Sequence, residues 1–398
     1  MMANWSELQP ELLQLIMNNL SFVNILRFRA VCSSWNHAAK SCATSSCPPP
    51  RTPSTPWLML PSSSEENDQN NPASGARCFY SLEEQKVYTI KSSFQDFDHA
   101  AAWCVGSSYG WLVFNSKANL HLLNPISPRK IQLPQMWHIA KAVLSSDPTR
   151  DNNFAVVVIY DFLESKLAFY KHGEDSRIRW TDLDGVHREY CDVIFHSEQL
   201  FALAGDGSVE VWEFNKSFPI KTIDLPQPFA EIEKADIMQD FSIYKYSTQN
   251  YLVESLGEIL YVGRVIGNFI NHEGIAVVQE DLPEGFDVVF LYRTLRFYIL
   301  KLNITAKKWE KVESSLRNRA LFLGGNQSMS VSTRDFPELE ENSIYFTDDR
   351  WRDINFQFDC DGHDNGVYNI GNKVVKPIDQ LDKWKIYTPP FWIVPNPR

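Results

Sequence analysis

The chain has 398 residues, a formal net charge of −11, 44% apolar and 22% charged side chains, which suits a soluble globular protein with more than one module. The acidic balance, with no basic stripe along the chain, argues against a nucleic-acid partner, because phosphate binding needs concentrated positive charge. Aromatics reach 13%, with 12 Trp, and this favours a β-rich body, since such side chains suit a pleated, half-buried surface.

The N-terminus carries Glu7 and Glu11 rather than a basic segment followed by an apolar one, so it does not read as a signal peptide. Within residues 4–40, Leu8, Leu12, Leu13, Ile16 and Leu20 recur near the helical period and form one apolar stripe. Pro10 fits a first helical turn, where its missing N–H costs nothing. Ser21 offers an oxygen to cap a second helix with apolar positions Ile25, Leu26, Phe28 and Val31. Ser33 or Ser34 can cap a third, short helix carrying Trp35. Three short helices bury too little surface to be comfortable alone, so some of these side chains are expected to face a partner.

The ordered set Leu8, Pro10, Glu11, Leu12, Leu13, Ile16, Leu20, Leu26, Arg27, Phe28, Arg29, Val31, Cys32 and Trp35 resembles the F-box pattern, although Gln9 separates a Leu and a Pro that many members have adjacent. The resemblance implies docking on the Skp-family adaptor of a cullin–RING ubiquitin ligase. The adaptor-facing positions it implies here are Leu8, Pro10, Leu12, Leu13, Ile16, Leu20, Val31 and Trp35.

Residues 45–55, SSCPPPRTPST, cannot continue a helix and read as a semi-rigid linker that sets the distance between modules. A second polar run, 62–75, follows an apolar island of strand length, PWLMLP, Pro56 to Pro61. Six short apolar runs then recur: VYTI at Val87, LHLL at Leu120, LAFY at Leu167, VEVWEF at Val209, FYILKL at Phe297 and VYNI at Val367. Most have a strand-like run before them and another after a turn, with punctuation such as Asp206-Gly207. Leu122 to Phe169 is 47 residues, Phe169 to Trp212 is 43, and Trp212 to Tyr298 is 86, stretched by an acidic insertion near Gln279–Asp287. A period near forty with several strands per unit predicts a β-propeller of about six blades. PWLMLP and PFWIVP, Pro390 to Pro395, are matching four-residue strands fenced by prolines, and are expected to share one blade and close the ring.

Segments 106–125, 251–262, 297–332, 341–349, 365–371 and 389–395 also resemble plant F-box proteins with a C-terminal domain of unknown function. That resemblance implies a kelch-like, propeller-like receptor for a target protein, with no assigned chemistry. Residues 140–245 match only loosely.

The candidate chemistry is thin. GSSYG, Gly106 to Gly110, has the spacing of a nucleophile elbow around Ser108, but the strand-like WLVF follows where a helix is required, so the two glycines are expected to bracket a turn. FDCDGHDNG, Phe358 to Gly366, lacks the later bidentate Glu of a calcium loop and reads as a solvated turn. TDDRWRD, 347–353, reads as a solvated loop, and LFLGGNQS, Leu321 to Ser328, as a tight turn between blade strands rather than a phosphate loop. Seven scattered cysteines without a C-x-x-C predict reduced thiols, and with them a cytosolic or nuclear protein. The longest apolar run, Phe154 to Tyr160, is too short to span a bilayer, so no membrane partner is expected. The expectation is therefore a small all-α F-box at 1–44, a linker at 45–55 and a large all-β propeller at 56–398. It would be a non-catalytic ligase adaptor without catalytic residues, metal or cofactor, and its target-binding residues are not legible; the alternatives are a Skp-binding protein with a non-degradative scaffold role and a ligand- or glycan-binding propeller.

Overall fold

The smallest unit of the large domain is a two-residue hairpin. A computed structural model describes residues 5–17, 19–44, 55–61, 76–91, 94, 102–127, 129–160, 164–173, 179–186, 189–214, 218–228, 244–270, 275–278, 292–312, 315–349, 364–378, 381 and 389–396. Tyr109–Gly110, Lys117–Ala118, Ser197–Glu198 and Leu256–Gly257 take positive φ at both positions, the turn whose twist matches that of paired strands. Two of these four turns contain no glycine. Pairing on either side holds a backbone that local preference alone would not choose.

The hairpins assemble into six sheets, each a blade. Blade 1 runs outward from Phe391–Ile393 through Trp57–Met59 and Arg77–Ser81 to Lys86–Ile90. Blade 2 takes Ala102–Ser108, Trp111–Ser116, Asn119–Leu123 and Lys130–Leu133. Blade 3 takes Ile139–Leu144, Ala155–Tyr160, Lys166–Lys171 and Thr181–Asp182. Blade 4 takes Tyr190–His196, Gln199–Ala204, Val209–Glu213 and Ile220–Leu225. Blade 5 takes Tyr246–Ser255, Glu258–Gly267, Arg293–Asn303 and Lys308–Lys311. Blade 6 has five strands: Met329–Ser332, Arg319–Leu323, Ser343–Phe346, Gly366–Asn369 and Val374–Lys376. Its second and third strands are parallel, with Leu321 opposite Ile344. The run RALFL is thus an extra strand slotted between the usual first and second.

The two ends meet as the proline-fenced runs predict. Trp57 pairs with Ile393, Leu58 with Trp392 and Met59 with Phe391. Leu58 and Trp392 are fully buried, and Trp392 meets Phe322 edge-on at 5.0 Å and Tyr345 at 6.1 Å, which ties blade 1 to blade 6. Beyond Ile393, the Asn396 amide donates to the Tyr109 carbonyl and to Asp147, reaching blades 2 and 3. Because blade 1 takes its first strand from the chain's other end, VYTI is the outermost strand there, while its counterparts in the other blades are one place further in.

Two readings of GSSYG need correction. Gly106 does not border the turn; it lies in a strand, where an added Cβ would sit 2.0 Å from the Ala142 carbonyl of blade 3. Ser108 ends that strand, buried, and its hydroxyl accepts from the Leu144 N–H at 3.2 Å, so it fastens blade 2 to blade 3. The 86-residue step to Tyr298 owes much to the ten-residue strands Tyr246–Ser255 and Glu258–Gly267 and to a small hairpin of Phe269–Ile270 with Ala276–Val277. The polar runs 45–54 and 62–75 and the acidic stretch Gln279–Asp287 lie outside the described residues.

The N-terminal module has three helices: α1, Pro10–Met17; α2, Phe22–Arg29; and α3, Ser33–Thr44. Ser21 caps α2 by accepting from the Asn24 N–H. Helix α3 has twelve residues and begins at Ser33, the Cys32 carbonyl taking its first bond from Asn36. No helix among the described residues is long and apolar enough to cross a membrane.

Deleting Phe391–Val394 removes the first strand of blade 1 and exposes a sheet edge. Truncating a buried Trp alone costs about 3–5 kcal/mol, so the deletion is expected to lower unfolding stability by at least that amount. Urea or thermal denaturation measures it, and an unchanged midpoint would contradict closure of the ring through this pair.

Candidate adaptor and target surfaces

The helical module divides its apolar residues between two duties. Leu13, Met17, Phe28 and Ala39 are its buried core, with Leu8, Ile16, Leu20, Ile25, Trp35 and Ala38 packed around them. Phe28 and Trp35 stack obliquely at 4.4 Å, and the Trp35 indole donates to the Trp5 carbonyl at 2.9 Å. Outside this core, Trp5 is 62%, Leu12 46%, Leu15 60% and Val31 57% exposed, and Pro10 is exposed beside them. Leu12 and Leu15, three apart on α1, share a face.

Of the eight expected adaptor-facing positions, Pro10, Leu12 and Val31 present their surface to solvent, while Leu8, Ile16, Leu20 and Trp35 are half-buried. Leu13 is a correction. At 2% exposure it belongs to the module's core and has no surface left to offer. A helix two turns long gives neighbouring leucines different roles through rotation alone, and the motif does not separate them. Trp5 and Leu15 were missed because both lie off the quoted pattern; hydrophobicity without a core partner was their only signal.

On the propeller, strand direction sorts the connections onto two sides. The turns joining first to second and third to fourth strands lie on one side, and those joining second to third strands and successive blades lie on the other. The far side carries Trp137 between blades 2 and 3, Val186 between blades 3 and 4, Tyr244 before blade 5, and Ile275 in the small hairpin. These are 63%, 72%, 73% and 55% exposed, against 41–54% for Tyr109, Phe218, Leu256 and Ile304 on the opposite side.

Around the axis, paired polar groups tie the blades together. Lys141 of blade 3 meets Asp192 of blade 4 at 2.6 Å and donates to the Gly324 carbonyl of blade 6 at 3.3 Å. Asp192 also accepts from the Leu252 N–H of blade 5 at 2.8 Å and from Val193. The Gln327 N–H reaches the Ser107 carbonyl of blade 2 at 3.0 Å. Burial pushes the Asp192 carboxyl up, against the pull of Lys141.

Beside the axis, Arg264 of blade 5 is buried in a cage from blades 5 and 6. Its guanidinium donates to the Asp364 carboxylate at 2.8 Å, to the Asp364 and Thr347 carbonyls, to Tyr251 and, at 3.5 Å, to Asp349; its Nε bonds Thr294 at 2.7 Å. Its flat face lies 4.5 Å from the Phe346 ring centroid. Asp348 accepts from Tyr292 at 2.6 Å and from the Asp364 N–H. Thr347, Asp348 and Asp364 are therefore interior residues, not parts of solvated loops. Both segments read as solvated because the cation that neutralises them lies up to 100 residues away. Residues 350–363, the remainder of both segments, are outside the described residues. LFLGGNQS does connect two strands of one blade, and Gly324 is there because a Cβ would meet the Thr347 hydroxyl at 2.1 Å.

No group of three or more His, Cys, Asp or Glu among the described residues is placed to hold a metal ion. Burial pushes the Cys104 thiol up to about 12, and Cys191 is raised as well. Both shifts favour the protonated thiol.

Comparison with known proteins follows the same division. An F-box domain matches residues 5–44, and a propeller described as KIB1-4 beta-propeller matches residues 79–369. The chain belongs to the KIB1-4 β-propeller family. Among similar proteins of Arabidopsis thaliana, a putative F-box protein, At4g17565, is 29% identical over 360 residues, covering 86% of this chain and 83% of its own. The F-box/kelch-repeat protein KIB1 is 26% identical, covering 92% and 81%. F-box protein SKIP23 is 23% identical, covering 100% and 97%. An F-box joined to a propeller in plant F-box proteins supports, in general, a substrate-recognition role in ubiquitin ligases with a Skp-type adaptor.

Lys141→Met leaves Asp192 buried without its cation and is expected to cost about 3–5 kcal/mol. Lys141→Met/Asp192→Asn removes the stranded charge and keeps an acceptor for Leu252, so it should recover much of that loss. Chemical denaturation of the two variants and the wild type makes the comparison, and equal losses would contradict the charge account.

Proposed function

We propose that this protein is the substrate-recognition subunit of a Skp–cullin–F-box ubiquitin ligase. The exposed set Trp5, Pro10, Leu12, Leu15 and Val31 docks the Skp adaptor, and the far side of the propeller holds the target protein. One observation supports the adaptor reading above the rest: the module's core is already filled by Leu13, Met17 and Phe28, yet four large apolar side chains stay in water. Burying a side chain of that kind is worth about 1.5–3 kcal/mol, so a partner covering several of them gains a substantial binding term. The far side is favoured for the target because Trp137, Val186, Tyr244 and Ile275 come from connections in successive blades. Binding residues concentrate on loops held by a rigid scaffold.

In this reading the chain performs no bond chemistry. Its effect on rate comes from holding target lysines near a charged ubiquitin-conjugating enzyme, which raises their effective concentration. The site of action is the cytosol or nucleus, where thiols such as Cys32 and Cys78 stay reduced.

Leu12→Asp/Leu15→Asp is expected to leave the melting temperature of the propeller unchanged and to abolish co-purification with a Skp adaptor. Retained binding would overturn the docking assignment. Trp137→Ser/Tyr244→Ser is expected to keep the adaptor and lose target proteins. Quantitative mass spectrometry of the two pull-downs separates these groups, and identical partner sets in both would contradict the division of surfaces.

A further inference from the structure

Helix α2 does not belong wholly to the helical module. Phe22 and Val23, at its start, are buried in the same core as Trp57, Met59, Phe79, Phe391 and Ile393 of blade 1, and Leu26 packs against that core. The Phe22 ring meets Trp57 edge-on at 5.5 Å and 90°, and Trp57 stacks on Tyr88 at 5.3 Å and 13°. Polar bonds frame the contact. The Ser21 hydroxyl donates to the Glu84 carboxylate at 3.0 Å, and Tyr88 donates to the other oxygen of the same carboxylate. Glu84 lies in the turn between the outer two strands of blade 1, and Trp57 starts the strand that pairs with the chain's C-terminal run. The module therefore sits on the blade that closes the ring, on the side opposite Trp137 and Tyr244.

We infer that the helical module and the propeller form one rigid body, whose geometry is set by this seat and not by the length of residues 45–54. Phe22, Val23 and Leu26 are spoken for, so a partner of the module is left the surface of Trp5, Pro10, Leu12, Leu15 and Val31. In the ligase reading, on which this consequence rests, the separation between the adaptor and a target on the far side is a property of blade 1. The seat itself is independent of that reading: an adaptor that fails to bind would remove the ligase assignment and leave the seat intact.

The test uses the full-length chain with bioorthogonal spin labels at Lys40 on α3 and Lys86 on blade 1, both exposed, and measures the distance between them by pulsed electron resonance. Ten Gly/Ser residues inserted between Pro50 and Arg51 would add a flexible span of about 16–19 Å if the connection governed the separation. The seat predicts the same mean distance and width with and without the insertion. A longer or broadened distribution overturns it. In the insertion background, Glu84→Ala/Tyr88→Ala removes the frame from the propeller's outer hairpin, and Phe22→Asp removes the buried ring from a position outside the module's own core. Each is expected to broaden the distribution while the propeller's melting transition stays in place. A narrow distribution retained in both variants would also overturn the proposal, since something other than this contact would then hold the module.

Discussion

Everything in this molecule is organised around the antiparallel pairing of Trp57–Met59 with Phe391–Ile393. A propeller whose strands came in strict chain order would leave one blade's edge open at each end. Here one blade is built from both ends, so the ring has no free seam. Leu58 and Trp392 face each other inside that pairing and reach Phe322 and Tyr345 of blade 6. The same strand presents Trp57 to Phe22 of the helical module. Closure of the ring and placement of the F-box thus depend on one three-residue strand.

The axis adds a second constraint of a different kind. Six strands converging on one line cannot all meet through apolar contacts, because their backbone ends and bulges leave donors and acceptors that need partners. Lys141 and Asp192 satisfy groups from blades 3, 4, 5 and 6 at once, and Ser107 and Ser108 bring in blade 2. Arg264 does the same for the seam between blades 5 and 6, neutralised by Asp364 and Asp349. Buried charges of this sort stabilise little on net but are costly to leave unpaired, which makes them selective for one arrangement of blades. The functional surfaces can then lie on loops and helices without the scaffold having to move.

What was legible in advance followed from short-range pattern. Alternating apolar runs such as LHLL and VEVWEF identified strands, their recurrence gave the blades, and two proline fences marked the strands that meet. The F-box was legible because Leu, Pro, Phe, Cys and Trp fall in a set order along forty residues. Assignments failed where a partner was distant in the chain. Asp348 and Asp364 looked like solvent-facing charge because Arg264 lies elsewhere in the sequence. LFLGGNQS looked like a tight turn throughout, yet its first three residues belong to a strand that pairs in parallel with SIYF, and nothing local indicates that pairing. Leu13 looked equivalent to Leu12 because a repeat of leucines carries no sign of which way the helix is turned.

The sequence by itself determined the kind of elements: three helices, then short strands in groups with a period near forty, ending on a run that matches the start. It could do so because helix and strand periodicity, turn residues and proline fences act over a few neighbouring residues. Tertiary structure alone decided which leucines of α1 remain in water, which aspartates are interior, and that α2 rests on blade 1. Those outcomes depend on contacts between residues up to hundreds of positions apart, and no local pattern encodes the partner on the other side of such a contact.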